Sequence, residues 1–426
     1  MRYLPLTKSD RAEMLKSIGV SSVDALFKDV PASAIQKDFM ELPKLKNELE
    51  VERDIGAYAN QNRAAHQGPF FLGAGVYNHH IPASVDYIIQ RSEFLTAYTP
   101  YQPEIAQGTL QVIFEFQSMI ALLTGQDVAN ASMYDGATAT AEAALMAMRL
   151  TGRRKVVLGT PLNPQYREVL DSYLRNFDDA QISEGEADEE AACLIVQSPD
   201  FFGRPHEYQK FREACDRSGA KLVVVVTEII SLGLLPAPVE ADIVCGEAQS
   251  IGLPMAFGGP HLGFFACKQD YVRQMPGRLC GQTTDADGRP GFVLTLNTRE
   301  QHIRREKATS NICTNQGLCA LAFTVHLSLL GESGLKNLAR LNHERACKLA
   351  EALEKIPGVK VMNQNFFNEF VVSLPGDSFE THRRLLERNI IAGLPYDGNR
   401  LLLCATEMTS ENDIQTLVSV LKEVMA

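Results

Sequence analysis

The sequence predicts an α/β protein: a large domain built on a mostly parallel sheet, then a small α+β domain at the carboxyl end. Two patterns carry this reading. Short apolar runs, "RKVVLG", "AACLIVQSP", "KLVVVVTEI" and "ADIVCG", alternate with the amphipathic segments "NPQYREVLDSYLRNF" and "PHEYQKFREACDRSG". Continuous apolar strands spaced by amphipathic helices require a parallel sheet covered on both faces. From about Leu335 the texture changes to a charged helix pattern, "LKNLARLNHERACKLAEALEKI". It is followed by "VKVMNQNFFNEFVVSLP", "SFETHRRLLERNI", "NRLLLCATEM" and "SENDIQTLVSVLKEVM", in strand, helix, strand, helix order.

Taken in order, the first elements are short helices. "TKSDRAEMLKSIG" opens on a Thr or Ser cap and closes at Gly19, and "LPKLKNELEVERDIGAYANQN" is amphipathic. Such a segment reads as an arm. "FFLGAGVYNHHIP" is a Gly-rich loop. "YTPYQPEIAQGTLQVIFEFQSMIALLTG" runs from a Pro-punctuated turn into a helix ending at Gly125, and "ASMYDGATATAEAALMAMRLTG" repeats the loop-to-helix pattern. The expected boundaries are an arm at 1–62, a large domain at 63–332 and a small domain at 333–426.

Composition narrows the function. The 426 residues are 45% hydrophobic, enough for a sizeable core, and the net charge of −11 argues against nucleic acid or an anionic membrane as the main partner. The nine Cys are scattered without a CxxC pair, which predicts core thiols in a reducing compartment and no metal site. The amino terminus lacks the apolar core of a secretory signal, and no stretch reads as an unbroken bilayer span. These features place the chain in the cytoplasm.

In a doubly wound sheet, ligands sit beyond the carboxyl ends of the strands. The stretch "MYDGATATAEA" puts Gly136, Thr138 and Thr140 before a helix, where free amides favour an anion such as phosphate, although caps and packing use the same residues. Glu228 ends "VVVVTE", where a carboxylate suits a protonated cofactor ring nitrogen or simply solvent. "GEAQSIGLPMAFGGPH" has the shape of an active-site turn, yet no lysine lies between Lys221 and Lys268 to form a Schiff base. In "TREQHIRREKATSNICTNQ", Arg299, His302, Arg304 and Arg305 are crowded together. They read either as a charged helix face or as recognition of a carboxylate or phosphate.

Together, "FLGAGVYNHHIP", "AYTPYQPEIAQGTLQ", "FGGPHLGFFA", "MPGRLCGQTTDADG" and "TREQHIRREKATSNICTNQ" resemble the glycine cleavage system P-protein family over nearly the whole chain. The resemblance implies the pyridoxal-phosphate-dependent aspartate-aminotransferase-like fold, called fold type I. It also implies the alpha half of the family's two-subunit form, in which glycine is decarboxylated and its aminomethyl group passes to the lipoyl arm of the H-protein. The lysine-bearing beta half has "HKTF" in the turn, and alignment on Pro254 and the Gly-Gly-Pro places Ala248 opposite its His and Gln249 opposite its Lys.

The implied cofactor is therefore pyridoxal 5'-phosphate on a beta subunit, with two alpha and two beta chains assembled. The active site of this fold lies between subunits, so the resemblance assigns Asn78, His80, Tyr98, Thr99, Tyr101, Gln102 and Glu104 to the partner's pocket. Two other readings stay open: a purely structural partner, or a stand-alone enzyme that anchors the cofactor through Lys268 or Lys307.

Overall fold

The computed structural model describes residues 6–36, 38 and 40–425. The chain divides into two compact units, one ending at Arg63 and one beginning at Ala64. In the first, the helix Lys8–Ile18 starts at a capping box between Thr7 and Asp10 and stops at Gly19 in the left-handed conformation. The helix Glu48–Ala59 has the equivalent box between Asn47 and Glu50. Neither helix buries a side chain.

The second unit is built on a seven-stranded sheet made of β1 (Val128–Ala129), β2 (Lys155–Leu158), β3 (Gln181–Glu184), β4 (Ala191–Gln197), β5 (Lys221–Val226), β6 (Ile243–Glu247) and β7 (Gly263–Cys267). Their order across the sheet is β1-β7-β6-β5-β4-β2-β3. Strands β2 to β6 pair in parallel, and β7 runs opposite to both its neighbours. Alternation along β5 shows why this run is apolar throughout. Leu222, Val224 and Val226 enter the core on one face of the sheet, whereas Val223 and Val225 enter the core on the other.

The helices Gly136–Thr151 and Pro164–Leu174 cover one face, and Gln107–Thr124 and Gln209–Ser218 the other. Asp135 caps Gly136–Thr151, and Gly125, Gly152 and Gly219 end their helices in the left-handed region. A two-stranded ribbon, β8 (Leu279–Thr284) with β9 (Pro290–Thr295), lies outside the main sheet.

The carboxyl-terminal elements form a four-stranded antiparallel sheet. It contains β10 (Lys360–Val361), β11 (Glu369–Ser373), β12 (Leu394–Asp397) and β13 (Arg400–Cys404), in the order β10-β11-β13-β12. The helices Ser378–Glu387 and Glu411–Met425 accompany it. A separate apolar cluster containing Leu349, Phe370, Leu401 and Leu417 holds this part together.

Where the sequence suggested a fresh helix near Leu335, one helix runs from Gly317 to Glu354 and bends at Gly331, whose φ of 59° disfavours a Cβ. The helix passes from the cluster under the large sheet, which it leaves after Ala339, to the cluster under the small one, which it enters at Ala346. This helix also corrects the expectation about bilayer-spanning length, because by length and composition it is apolar enough to cross a membrane. Half of its most apolar window is buried, with Ala320, Ala322 and Phe323 inside the core cluster of the large sheet.

Candidate functional site

The turn after β6 places Gln249 at the carboxyl end of the parallel strands with 1% of its surface exposed. Its amide is consumed by the main chain. Oε1 accepts from the Tyr77 N–H at 3.3 Å, and Nε2 donates to the carbonyls of Tyr77 at 3.3 Å and Leu253 at 2.7 Å. Glu247 is buried beside it and accepts from the amides of Leu262 (2.7 Å), Gln249 (3.1 Å) and Gly136 (3.0 Å). Burial, aided by nearby Asp135, pushes its carboxyl up to about 7 against the pull of those amides.

The amino terminus of the helix Gly136–Thr151 is thus already satisfied by carboxylates of the chain, since the Thr138 N–H is taken by Asp135 Oδ1 at 2.8 Å. The Thr140 hydroxyl turns back to the Gly136 carbonyl at 2.8 Å.

The Gly-rich loop Phe70–Pro82 fills the space facing Gln249. Gly73 is required because a Cβ there would lie 2.5 Å from Glu369 Oε1. The loop then alternates its side chains, with Tyr77 and His79 buried, Asn78 partly buried and His80 exposed. His79 bridges two carboxylates, with Nε2 2.9 Å from Glu228 Oε2 and Nδ1 2.8 Å from Glu407 Oε2. Burial alone would lower the imidazole pKa; the charge and hydrogen bonds of Glu228 and Glu407 outweigh it and raise the pKa to about 10. Glu407 also accepts from the His80 N–H at 2.7 Å and Asn342 Nδ2 at 3.0 Å. The Tyr77 hydroxyl donates to Glu369 Oε2 at 3.1 Å.

A second polar region is arranged differently. Arg278 is the bulkiest fully buried side chain described, and its guanidinium fans out toward two distant segments. Nη1 donates to Thr99 Oγ1 (3.3 Å) and Thr314 Oγ1 (3.2 Å), while Nη2 donates to the Tyr101 hydroxyl (2.9 Å) and the Cys313 carbonyl (2.6 Å). Nε lies 3.5 Å from Glu300 Oε2, and the cation sits over the Tyr101 ring at 5.2 Å. The Cys313 N–H donates to the Tyr134 hydroxyl at 3.0 Å, and Gln316 N–H to Ser132 Oγ at 2.9 Å. This core holds Tyr101 half exposed, while Tyr98 is 85% exposed beside an open cavity of about 220 Å³ that Thr314 and Leu95 also line.

Residues 1–421 of this chain match the family model of the glycine cleavage system P-protein. The chain belongs to that family. Relatives named probable glycine dehydrogenase (decarboxylating) subunit 1, from Beijerinckia indica and Sphingopyxis alaskensis, are each 54% identical, and the alignments cover 100% of both chains. A crystal structure of glycine decarboxylase (P-protein) of the glycine cleavage system in inhibitor-bound form superposes with a TM-score of 0.90 at 44% identity. It covers 100% of each chain. Lactobacillus brevis glutamate decarboxylase shares the fold at 12% identity, with a TM-score of 0.67 over 92% of this chain and 96% of its own. The architecture is that of fold type I pyridoxal-phosphate enzymes.

Against that family background, this chain's own strand-end site does not fit the cofactor. A covalent anchor needs an amine, and Gln249 offers an amide bound on both its atoms. The ring nitrogen needs a free carboxylate, and Glu228 is held by His79. The phosphate needs open amides at a helix terminus, and those of Gly136 and Thr138 are taken. Each position that would recognise the cofactor is answered by a group of the chain itself.

Lys268 does not replace the missing amine. It follows β7 opposite the start of β6, 3.7 Å from Asp242, about 20 Å along the strand from Gln249. Lys307 is exposed in a separate segment.

The remaining sequence-derived residues scatter. The Asn78 carbonyl accepts from Thr406 Oγ1 at 2.6 Å, and Gln102 and Glu104 are exposed near Tyr101. Arg299 turns inward to the carbonyls of Met275, Gly277 and Leu296. His302 packs edge-on against Tyr101 with centroids 5.4 Å apart, while Arg304 and Arg305 are exposed. The four basic residues therefore do not converge on one anion. Arg278, His79, Glu247, Glu369 and Glu407 escaped the sequence reading because their partners lie tens to hundreds of positions away.

Proposed function

We propose that this chain is the alpha subunit of a two-subunit glycine decarboxylase, glycine dehydrogenase (aminomethyl-transferring). It pairs with a lysine-bearing beta subunit that carries pyridoxal 5'-phosphate. The carrying observation is the contrast between a strand-end site that leaves no group open for a cofactor and a second region that leaves Tyr98 exposed and Tyr101 half exposed next to Thr99 and the buried Arg278. The electron sink for loss of carbon dioxide then belongs to the partner's cofactor. Tyr98, Thr99 and Tyr101, with the neighbouring Gln102 and Glu104, close the beta subunit's pocket, orient glycine and exclude water, and Asn78 and His80 contribute from a separate loop.

In this reading the aminomethyl group passes to the lipoyl arm of the H-protein, and the assembly is an alpha-two beta-two heterotetramer working in the cytoplasm in glycine catabolism. The two capped helices before Arg63 bury none of their own apolar side chains, which suits an arm that lies against another subunit.

The test is exchange of carbon between glycine and bicarbonate in the presence of H-protein, for this chain, for its beta partner and for the mixture. Activity only in the mixture is expected. Activity of this chain alone, with the absorbance of an internal aldimine, would overturn the proposal.

A further inference from the structure

Four basic side chains from three separated segments face one cavity of about 350 Å³ that none of the cofactor-type positions touch. Arg149 comes from the last turn of the helix Gly136–Thr151, Arg273 from the turn after β7, and Arg304 and Lys307 from the segment after β9. Thr298 and Thr309 add hydroxyl groups, and no carboxylate is among the lining residues. Arg299 forms part of the wall, but its donors are committed to carbonyls.

Arg149 spends one Nη2 bond on the Gln274 carbonyl at 3.0 Å and faces the buried Glu142. Among the described residues, Arg273, Arg304 and Lys307 have no ion-pair partner.

The chain carries a net charge of −11, and other cations pair with carboxylates, as in Arg175 with Asp171, Arg340 with Glu344 and Lys348 with Glu411, whereas no carboxylate lines this cavity. Cations converging on a concavity without a counter-charge repel one another, and the low-dielectric walls strengthen that repulsion. A bound anion relieves it. Several cations with two hydroxyl donors match a tetrahedral, multiply charged oxyanion better than a single carboxylate.

We propose that this cavity is a binding site for a phosphate-class oxyanion, free or carried on a small molecule, separate from the decarboxylation site. The site needs no cofactor on this chain, so it stands independently of the subunit assignment.

The experiment is a calorimetric titration of the full chain, and of its complex with the beta subunit, with inorganic pyrophosphate at low ionic strength. Saturable binding that weakens as sodium chloride is raised is the expected result. The doubly substituted R304A/K307A chain removes two exposed side chains and should bind at least about tenfold more weakly. Arg305→Ala deletes the same charge from the same segment outside the cavity, and it should bind like the parent. Absence of saturable heat, or an equal loss in Arg305→Ala, would overturn the proposal. So would an aspartate-rich peptide that binds where pyrophosphate does not, because the surface would then belong to protein docking.

Discussion

The two polar regions of the large unit solve opposite problems with similar chemistry. Around Gln249 every strong donor and acceptor is turned inward and matched: amide to main chain, imidazole to two carboxylates, carboxylate to a helix terminus. Around Arg278 both terminal guanidinium nitrogens are bonded, and among their partners are Thr99 and the hydroxyl of Tyr101, a residue that stays half exposed. The first region is complete without a ligand, and the second is a base under an unfinished surface. Buried polar networks rigidify when fully satisfied, which describes the network on Gln249; around Arg278, Nε and Glu300 Oε1 lack a hydrogen bond, and Tyr98 and Tyr101 remain open to a substrate or a neighbour.

The comparison is most easily broken at His79. His79→Ala leaves Glu228 and Glu407 buried without their shared cation and should cost about 3–5 kcal/mol, read as a lower urea midpoint. A loss under about 1 kcal/mol would mean the carboxylates are not held as charged partners.

Arg278→Lys tests the other region. One ammonium cannot reach four acceptors, so Tyr101 and residues 313–314 loosen, and turnover of the assembled enzyme should fall about a hundredfold. Assembly and the midpoint of thermal unfolding are expected to change much less. If assembly weakens while the complex that still forms keeps the parent kcat, the region serves only to join subunits.

A smaller effect is expected from Gln249→Lys. The amine lacks the acceptor that the Tyr77 N–H uses, so stability should drop by about 1–3 kcal/mol. With His79 still on Glu228, no aldimine absorbance should appear on adding pyridoxal phosphate. Appearance of that band would show that the inward-facing site opens readily.

The smallest effect is a slope. The Glu369 carboxyl is pushed up to about 7 by burial, reinforced by the charges of Glu228 and Asp200, and Glu247 by burial likewise. A raised folded-state pKa means the native state holds the proton longer than the unfolded chain. The stability it contributes is present at pH 4 and is lost as pH rises from about 4.5 to about 7. Glu369→Gln should remove up to about 1.4 kcal/mol per pH unit of that decline in denaturation series.

The legibility of the sequence follows the range of the interactions. The capped helix Lys8–Ile18, the helix Gln107–Thr124 with its terminal Gly125, and the apolar strands β4, β5 and β6 were readable because caps and periodicity are local signals. The edge strand β3 was not, since "QISE" is neither apolar nor alternating and takes its form from pairing with β2. The β8–β9 ribbon was missed for a similar reason: its turn "DADGR" carries a signal, but "PGFVLT" begins with two residues that disfavour strands.

Within the site, the lack of an amine in the strand-end turn was legible, since no lysine lies between Lys221 and Lys268. The network that fills the site was not, because His79 meets Glu228 and Glu407 only after the chain has closed over 149 and 328 residues. In the doublet His79–His80 nothing local distinguishes the buried ring from the exposed one.

The pairing of His79 with Glu228 also bears on vitamin supply. A protein that binds a ligand only when folded gains stability in proportion to the logarithm of ligand concentration. Here the chain carries its own substitutes for the ring cation and the phosphate, so its melting temperature should be indifferent to pyridoxal phosphate. The expected outcome is that it folds to the same extent in a vitamin-starved cell as in a replete one, and under the proposed assignment any sensitivity to the nutrient falls to the second subunit.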